Sequence, residues 1–160
     1  MPAIPIRRVV TTHDSNGRAK VLFDGPAPRQ VKFREGSDTT LIWVNEGLPA
    51  SNAGDEDTSM QDIGTEIHNG AVFRIVDYTP GVVPRVHRTQ SVDYAIIMSG
   101  TIWMELDDGA EVQLNAGDVL VQRGTIHNWV NKGPDMARVA FVIISAEPVQ
   151  TAAGQLGAQG

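Results

Sequence analysis

The sequence predicts an all-β protein, a small antiparallel barrel, and three observations predict it. Short runs rich in Val, Ile, Thr and aromatic residues recur along the chain, and most of the 16 Gly and 9 Pro fall between them. Turn signals of the hairpin type, Asn16-Gly17 and Asp107-Asp108-Gly109, sit between such runs. The run Val139-Ala140-Phe141-Val142-Ile143-Ile144 is apolar throughout, and its length and β-branched content favour a buried strand over a helix. At 160 residues the chain has room for one core, so residues 1–160 are expected to form one domain.

The elements follow in order. Residues 7–12 and 19–23 form a hairpin candidate around Asn16-Gly17, where both turn residues tolerate positive φ. Gly25 to Pro28 reads as a break, and residues 39–44 form another strand. Residues 46–66 lack periodicity and contain no Lys or Arg; they read as a solvated acidic loop, or else as a lid over a site. Asp55-Glu56-Asp57 within them lacks the spacing of an EF-hand loop. Further strands are expected at 71–79, 93–98, 101–106, 119–122, 128–130 and 138–144. The Ala-, Gly- and Gln-rich tail, 148–160, is expected to be mobile or loosely packed.

Composition narrows the function. Hydrophobic residues make up 41% and charged residues 20%, enough for a real core. The net charge is −6, from 19 acidic and 13 basic side chains, which argues against nucleic acid or an anionic membrane as partner. There is no cysteine, which excludes disulfides, zinc fingers and thiol nucleophiles. The opening Met1-Pro2-Ala3-Ile4-Pro5 shows no signal peptide, and no apolar stretch approaches the roughly 18 residues of a membrane span. A cytoplasmic location is the expectation.

The chemistry concentrates between Gly81 and Asn131. Gly81 is followed after five residues by His87-Arg88-Thr89, then after three by Asp93, then after six by Gly100. Later come Gly117-Asp118, Gln122-Arg123-Gly124, His127 and Asn131. This pair of motifs resembles the two signatures of the cupin superfamily: Gly, five residues, His-x-His, three or four residues, Glu, six residues, Gly; then Gly-Asp, Pro-x-Gly, two residues, His, three residues, Asn. The resemblance implies a double-stranded β-helix, or jelly-roll barrel, with the motif residues at its mouth. Strand alternation puts His87, Thr89 and Asp93 on one face, the barrel interior, and His127 enters from the second motif. The departures are specific. Thr89 stands where the family has its second His, Asp93 replaces Glu, and Gln122 replaces Pro.

What the resemblance implies for the site is a choice. His87, His127 and Asp93 form a reduced ligand set for one divalent metal ion of unknown identity. Without metal, the same residues form an acid–base pair oriented by the carboxylate. A polar interior that serves structure alone is the third possibility. Thr89, Trp129 and Asn131 are candidate substrate contacts; Trp129 shares strand phase with His127 and Asn131. Tyr94, Trp103, Trp43 and Met98 read as core or dimer contacts, Arg88 and His13 as outward-facing, and His68 as a weak candidate for the mouth. The text around His87 to Tyr94 also resembles a group of small single-domain cupins, some fungal members of which occur in natural-product pathways. The expected function is an enzyme acting on a small polar or aromatic organic compound by lyase, isomerase or oxygenase chemistry. The alternative is a non-catalytic cupin that binds or senses a small ligand. A homodimer is expected in either case.

Overall fold

The computed structural model describes residues 5–160; the expectation about a signal segment falls on the opening residues, and 1–4 lie outside those described. Its regular structure is nearly all strand: β1 (Arg7–His13), β2 (Ala19–Pro26), β3 (Arg29–Arg34), β4 (Ser37–Glu46), β5 (Gly70–Tyr78), β6 (Ser91–Ser99), β7 (Thr101–Glu105), β8 (Glu111–Asn115), β9 (Val119–Arg123), β10 (Asn128–Val130), β11 (Ala137–Ser145), β12 (Val149–Thr151) and β13 (Gly154–Leu156). Two single 3-10 turns, Thr58–Met60 and Asp107–Gly109, are the helical content. No helix among the described residues is long and apolar enough to cross a membrane.

The strands form a six-stranded antiparallel sheet in the order β3-β4-β5-β11-β6-β9, facing a three-stranded sheet β10-β7-β8. Between them lies the main core, to which Val44, Val72, Ile97, Ile102, Val139 and Trp129 belong. Alternation explains the assignment: on β11, Val139, Phe141 and Ile143 enter this core, while Ala140 joins Ile42 and Ile75 in a smaller cluster. The expectation that this strand is buried on both faces therefore holds in its middle, while Val142 and Ile144 are only half-buried. Gly100 closes the β6–β7 turn at φ 74°, where a Cβ would come within 2.6 Å of the Met136 carbonyl, so only glycine fits.

The β1–β2 hairpin forms as its turn chemistry dictates: Asp14 accepts from the Asn16 and Arg18 amides, and Gly17 adopts φ 76°. One expectation is corrected and two are refined. The break at Gly25 to Pro28 shrinks to Ala27 and Pro28, because β2 continues to Pro26 and an unexpected edge strand, β3, begins at Arg29. The acidic loop is solvated as expected over residues 48–56, but polar side chains along it tie it to the strands. Asp57 grips Arg8, Asp55 accepts from Thr12, Asp62 accepts from Arg29, and Thr58 Oγ1 takes the Val44 amide. The tail, expected to be mobile or loosely packed, stays largely exposed but folds as the β12–β13 hairpin and returns to pair Gln159 with Arg88 through two backbone hydrogen bonds.

Candidate active site

A cavity of about 560 Å³, counted out to the solvent at its mouth, opens between the sheets. The inward phase of the strands supplies its walls: Ser37 and Thr39 from β4, Arg74, Val76 and Tyr78 from β5, Asp93 from β6, and Phe141 and Ile143 from β11. His87 and Arg85 arrive from the segment before β6, and His127 and Trp129 from the start of β10. His87, His127 and Asp93 thus line one cavity.

The two histidines are neighbours by backbone design. Each donates its amide to the other's carbonyl, at 3.0 and 2.9 Å, and the rings sit 4.3 Å apart between centroids. Their hydrogen-bond partners differ: one fixed acceptor at His87, a donor and an acceptor in competition at His127. His87 Nδ1 lies 3.0 Å from the Arg85 carbonyl, which can only accept, so Nδ1 carries the proton and Nε2 is left with a lone pair. His127 Nδ1 lies 2.8 Å from the Gln122 side-chain amide nitrogen. That amide also donates to the Thr125 carbonyl at 3.1 Å, while its Oε1 is buried without a partner. The Thr125 carbonyl, which can only accept, lies 3.0 Å from His127 Nδ1 as well, so Gln122 and Thr125 compete for that nitrogen: a bond accepted from Gln122 leaves the proton on Nε2, and a bond donated to Thr125 puts it on Nδ1. Gln122, standing where the family motif has Pro, supplies a donor that proline lacks.

Both rings are held neutral. Burial lowers the His87 pKa, with the charges of Arg85 and Arg34 adding to it against the raising effect of the Arg85 carbonyl. Burial brings His127 down to about 4, with repulsion from His87 next. Asp93 moves the other way: burial raises its carboxyl to about 6, the nearby Glu66 pushes in the same direction, and hydrogen bonding from Ser91 and the charge of Arg74 oppose. The Ser91 hydroxyl lies 2.5 Å from Asp93 Oδ1 and 2.8 Å from Thr89 Oγ1. With one proton to give, Ser91 gives it to the carboxylate.

Among the described residues, no group of three or more His, Asp or Glu side chains is placed to hold a metal ion. His87 Nε2 keeps its lone pair, and Asp93 spends one oxygen on Ser91.

The remaining candidates divide. Trp129 lines the cavity, edge-on to His127 at 6.2 Å and to Phe141 at 5.4 Å. Thr89 does not line it; it stands behind Asp93 through Ser91. Asn131 does not line it either. Its amide donates to the Tyr78 and Asp135 carbonyls and its Oδ1 takes the Gly133 amide, so it ties down a turn. His13 and His68 are exposed and away from the cavity. Sequence reasoning missed Arg34, Arg74 and Arg85, all on the cavity wall. Two signals were available: Arg74 shares phase with Val72 and Val76 in an apolar strand, and Arg85 shares phase with His87.

Comparison with known proteins decides the family. A family model described as the cupin domain matches residues 74–144. Phomopsin biosynthesis cluster protein C' of Diaporthe leptostromiformis is 41% identical over 158 residues, covering 94% of this chain and 84% of that protein. The chain belongs to the cupin family. Oryzines biosynthesis cluster protein J of Aspergillus oryzae is 32% identical to this cupin, covering 95% of it and 89% of the relative. The cupin-domain-containing oxidoreductase fogC of Aspergillus ruber is 31% identical, with 89% and 73% covered. Among solved structures, the Cnp3 cupin domain of Schizosaccharomyces pombe superposes with a TM-score of 0.56 at 11% identity, covering 87% of each chain, which shows the shared fold.

Proposed function

We propose that this cupin is an enzyme of small-molecule biosynthesis whose chemical step is a proton transfer between the substrate and the His87–His127 pair. The observation that carries the reading is a pair of neutral, buried imidazoles 4.3 Å apart that line one cavity, with Gln122 in reach to set His127 in the tautomer opposite to that of His87. His87 Nε2 is the base that removes a proton from carbon. His127 Nε2–H donates a hydrogen bond to the oxygen on which negative charge develops, a role a neutral imidazole can fill. Asp93, close to its titration range near neutral pH, is placed to exchange a proton with the product. Isomerisation and elimination both follow from such a step. The cluster names of the relatives support a biosynthetic setting, and the oxidoreductase name of fogC favours a second reading in which the same cavity hosts a redox step.

The test is solvent exchange. Purified protein is incubated in D2O with a panel of enolisable carbonyl compounds, acidic and neutral, and products are weighed by mass spectrometry. Deuterium uptake that persists in chelator and falls by about 10²- to 10⁴-fold in His87→Gln is the expected result. Uptake abolished by chelator would move the step to a metal, and no uptake in any compound would leave a binding module. A second copy of the chain is the proposed partner. Tyr94, Ile96, Met98, Val119 and Val121 stand exposed together on β6 and the sheet-edge strand β9, the kind of apolar face and open edge that a dimer covers.

A further inference from the structure

Three arginines converge on the cavity without forming an ion pair, although Asp93 lies on the same wall and interacts with the Arg74 charge at longer range. Arg74 lies on the inward phase of β5 and is 4% exposed; its Nη2 donates to the Gly64 and Thr65 carbonyls, and its Nε is buried without a partner. Arg34, at the end of β3, lies 5.9 Å from the centroid of the Tyr78 ring, and its Nη1 is also buried without a partner. Arg85 donates to Thr65 Oγ1 and to the Gly160 carbonyl. Among the described residues, none of the three forms an ion pair. Asp93 is the one carboxyl among the lining residues, and Ser91 already occupies one of its oxygens.

Buried guanidinium groups ordinarily find carboxylates, because an unpaired buried charge and an unmade hydrogen bond are both costly. Here two guanidinium groups that each keep one buried nitrogen unmet line an open cavity beside a third, Arg85. We propose that an organic carboxylate completes this wall: its acid group is held by Arg34, Arg74 and Arg85, and its apolar body lies against Trp129, Phe141 and Ile143. The planar fork of a guanidinium matches a carboxylate in two parallel hydrogen bonds. The aromatic and aliphatic lining selects an acid with a hydrocarbon or ring body over a hydrated inorganic anion. Such a site deepens the proton-transfer reading and rests on it for its purpose: the acid group anchors the substrate while the carbon to be deprotonated faces His87.

The probe is benzoate, titrated calorimetrically into the full chain beside benzamide and inorganic phosphate. Benzoate is expected to bind, with benzamide and phosphate at least about tenfold weaker. Arg34→Gln, half-buried near the end of a strand, is expected to weaken benzoate roughly tenfold or more, and Arg85→Gln is the second variant if the first does not fold. His87→Gln should keep benzoate binding while losing solvent exchange, which separates the anion site from the proton-transfer step. Exchange into neutral compounds only, with no benzoate bound, would sink the anion site and leave the acid–base reading standing. The proposal is overturned if wild-type protein does not bind benzoate, if benzamide binds as tightly, if phosphate binds more tightly, or if neither arginine variant weakens benzoate.

Discussion

Two groups of buried arginine in this molecule are treated in opposite ways. Under the N-terminal hairpin, Arg8 is saturated: its guanidinium meets both oxygens of Asp57 at 2.7 and 2.5 Å, the Ser59 hydroxyl and the Ile42 carbonyl, with the Phe23 ring 5.3 Å away. Arg138 is held in a similar two-point grip by Asp77 at 2.6 and 2.7 Å. On the cavity wall, Arg34 and Arg74 keep buried N–H groups without partners, and no carboxylate faces them in an ion pair. The difference teaches how to tell a structural charge from one held ready for a ligand. A structural charge is completed by the protein itself, whereas a binding charge is completed by something else.

The largest effect should come from breaking the saturated side. Asp57→Asn leaves Arg8 buried opposite a neutral amide, and the expected loss is about 3 kcal/mol of folding stability at pH 7, read by urea denaturation. The Arg8 guanidinium, with help from Ser59, holds the Asp57 carboxyl down at about 2, against its burial. A lowered carboxylate contributes stability that is present above its ordinary value of about 4 and lost as pH falls through 2. The gap between wild type and Asp57→Asn should therefore close as the pH drops from 4 toward 2. A gap that stays constant would show that the pair is not what the substitution removed.

The next effect has the opposite sign. Burial raises Asp93 to about 6, so the folded state binds its proton more tightly and stability falls as pH rises from about 4 to 6. Asp93→Asn removes that penalty and should stabilise the protein at pH 7 by on the order of 2 kcal/mol. His127, lowered to about 4, works against Asp93, since stability it contributes rises between about 4 and 6.5. In wild type the two trends offset one another; in Asp93→Asn the stability should climb with pH across that window. A flat profile in the variant would contradict the assignment.

Arg34→Gln sharpens the comparison from the cavity side: it should change stability by less than about 1 kcal/mol, because no ion pair is lost. A loss as large as that of Asp57→Asn would place Arg34 among the structural charges. The smallest expected effect is that of chelator. Excess EDTA should leave the melting temperature of wild type unchanged, while Thr89→His, which restores an imidazole at the family position, should make melting sensitive to added zinc. Wild-type melting that drops in EDTA would return the metal centre to the account.

The fold was legible because its signals are local: Asn16-Gly17, Gly100 and the apolar run of β11 each act through turn geometry or strand phase. The edge strand β3 was not, because Arg29-Gln30-Val31-Lys32-Phe33-Arg34 reads as polar surface until β4 supplies its partner. The tail hairpin failed for the same reason, since pairing with Arg88 across the fold compensates for weak local propensity. The histidines were legible from motif spacing, and their roles were not. Tautomers depend on Gln122 and on the Arg85 carbonyl, neither of which a spacing reveals. Thr89 and Asn131 shared the right strand phase but spend their polar atoms inside the protein.

The central claim is that two adjacent neutral imidazoles present a lone pair and a proton to one cavity. Nitrogen-15 NMR of histidine-labelled protein at pH 7, assigned with His87→Gln and His127→Gln, reads it directly. The account predicts protonated Nδ1 with bare Nε2 for His87, protonated Nε2 with bare Nδ1 for His127, and no imidazolium at either. The same tautomer at both positions, or a positive charge on either ring at pH 7, would contradict it.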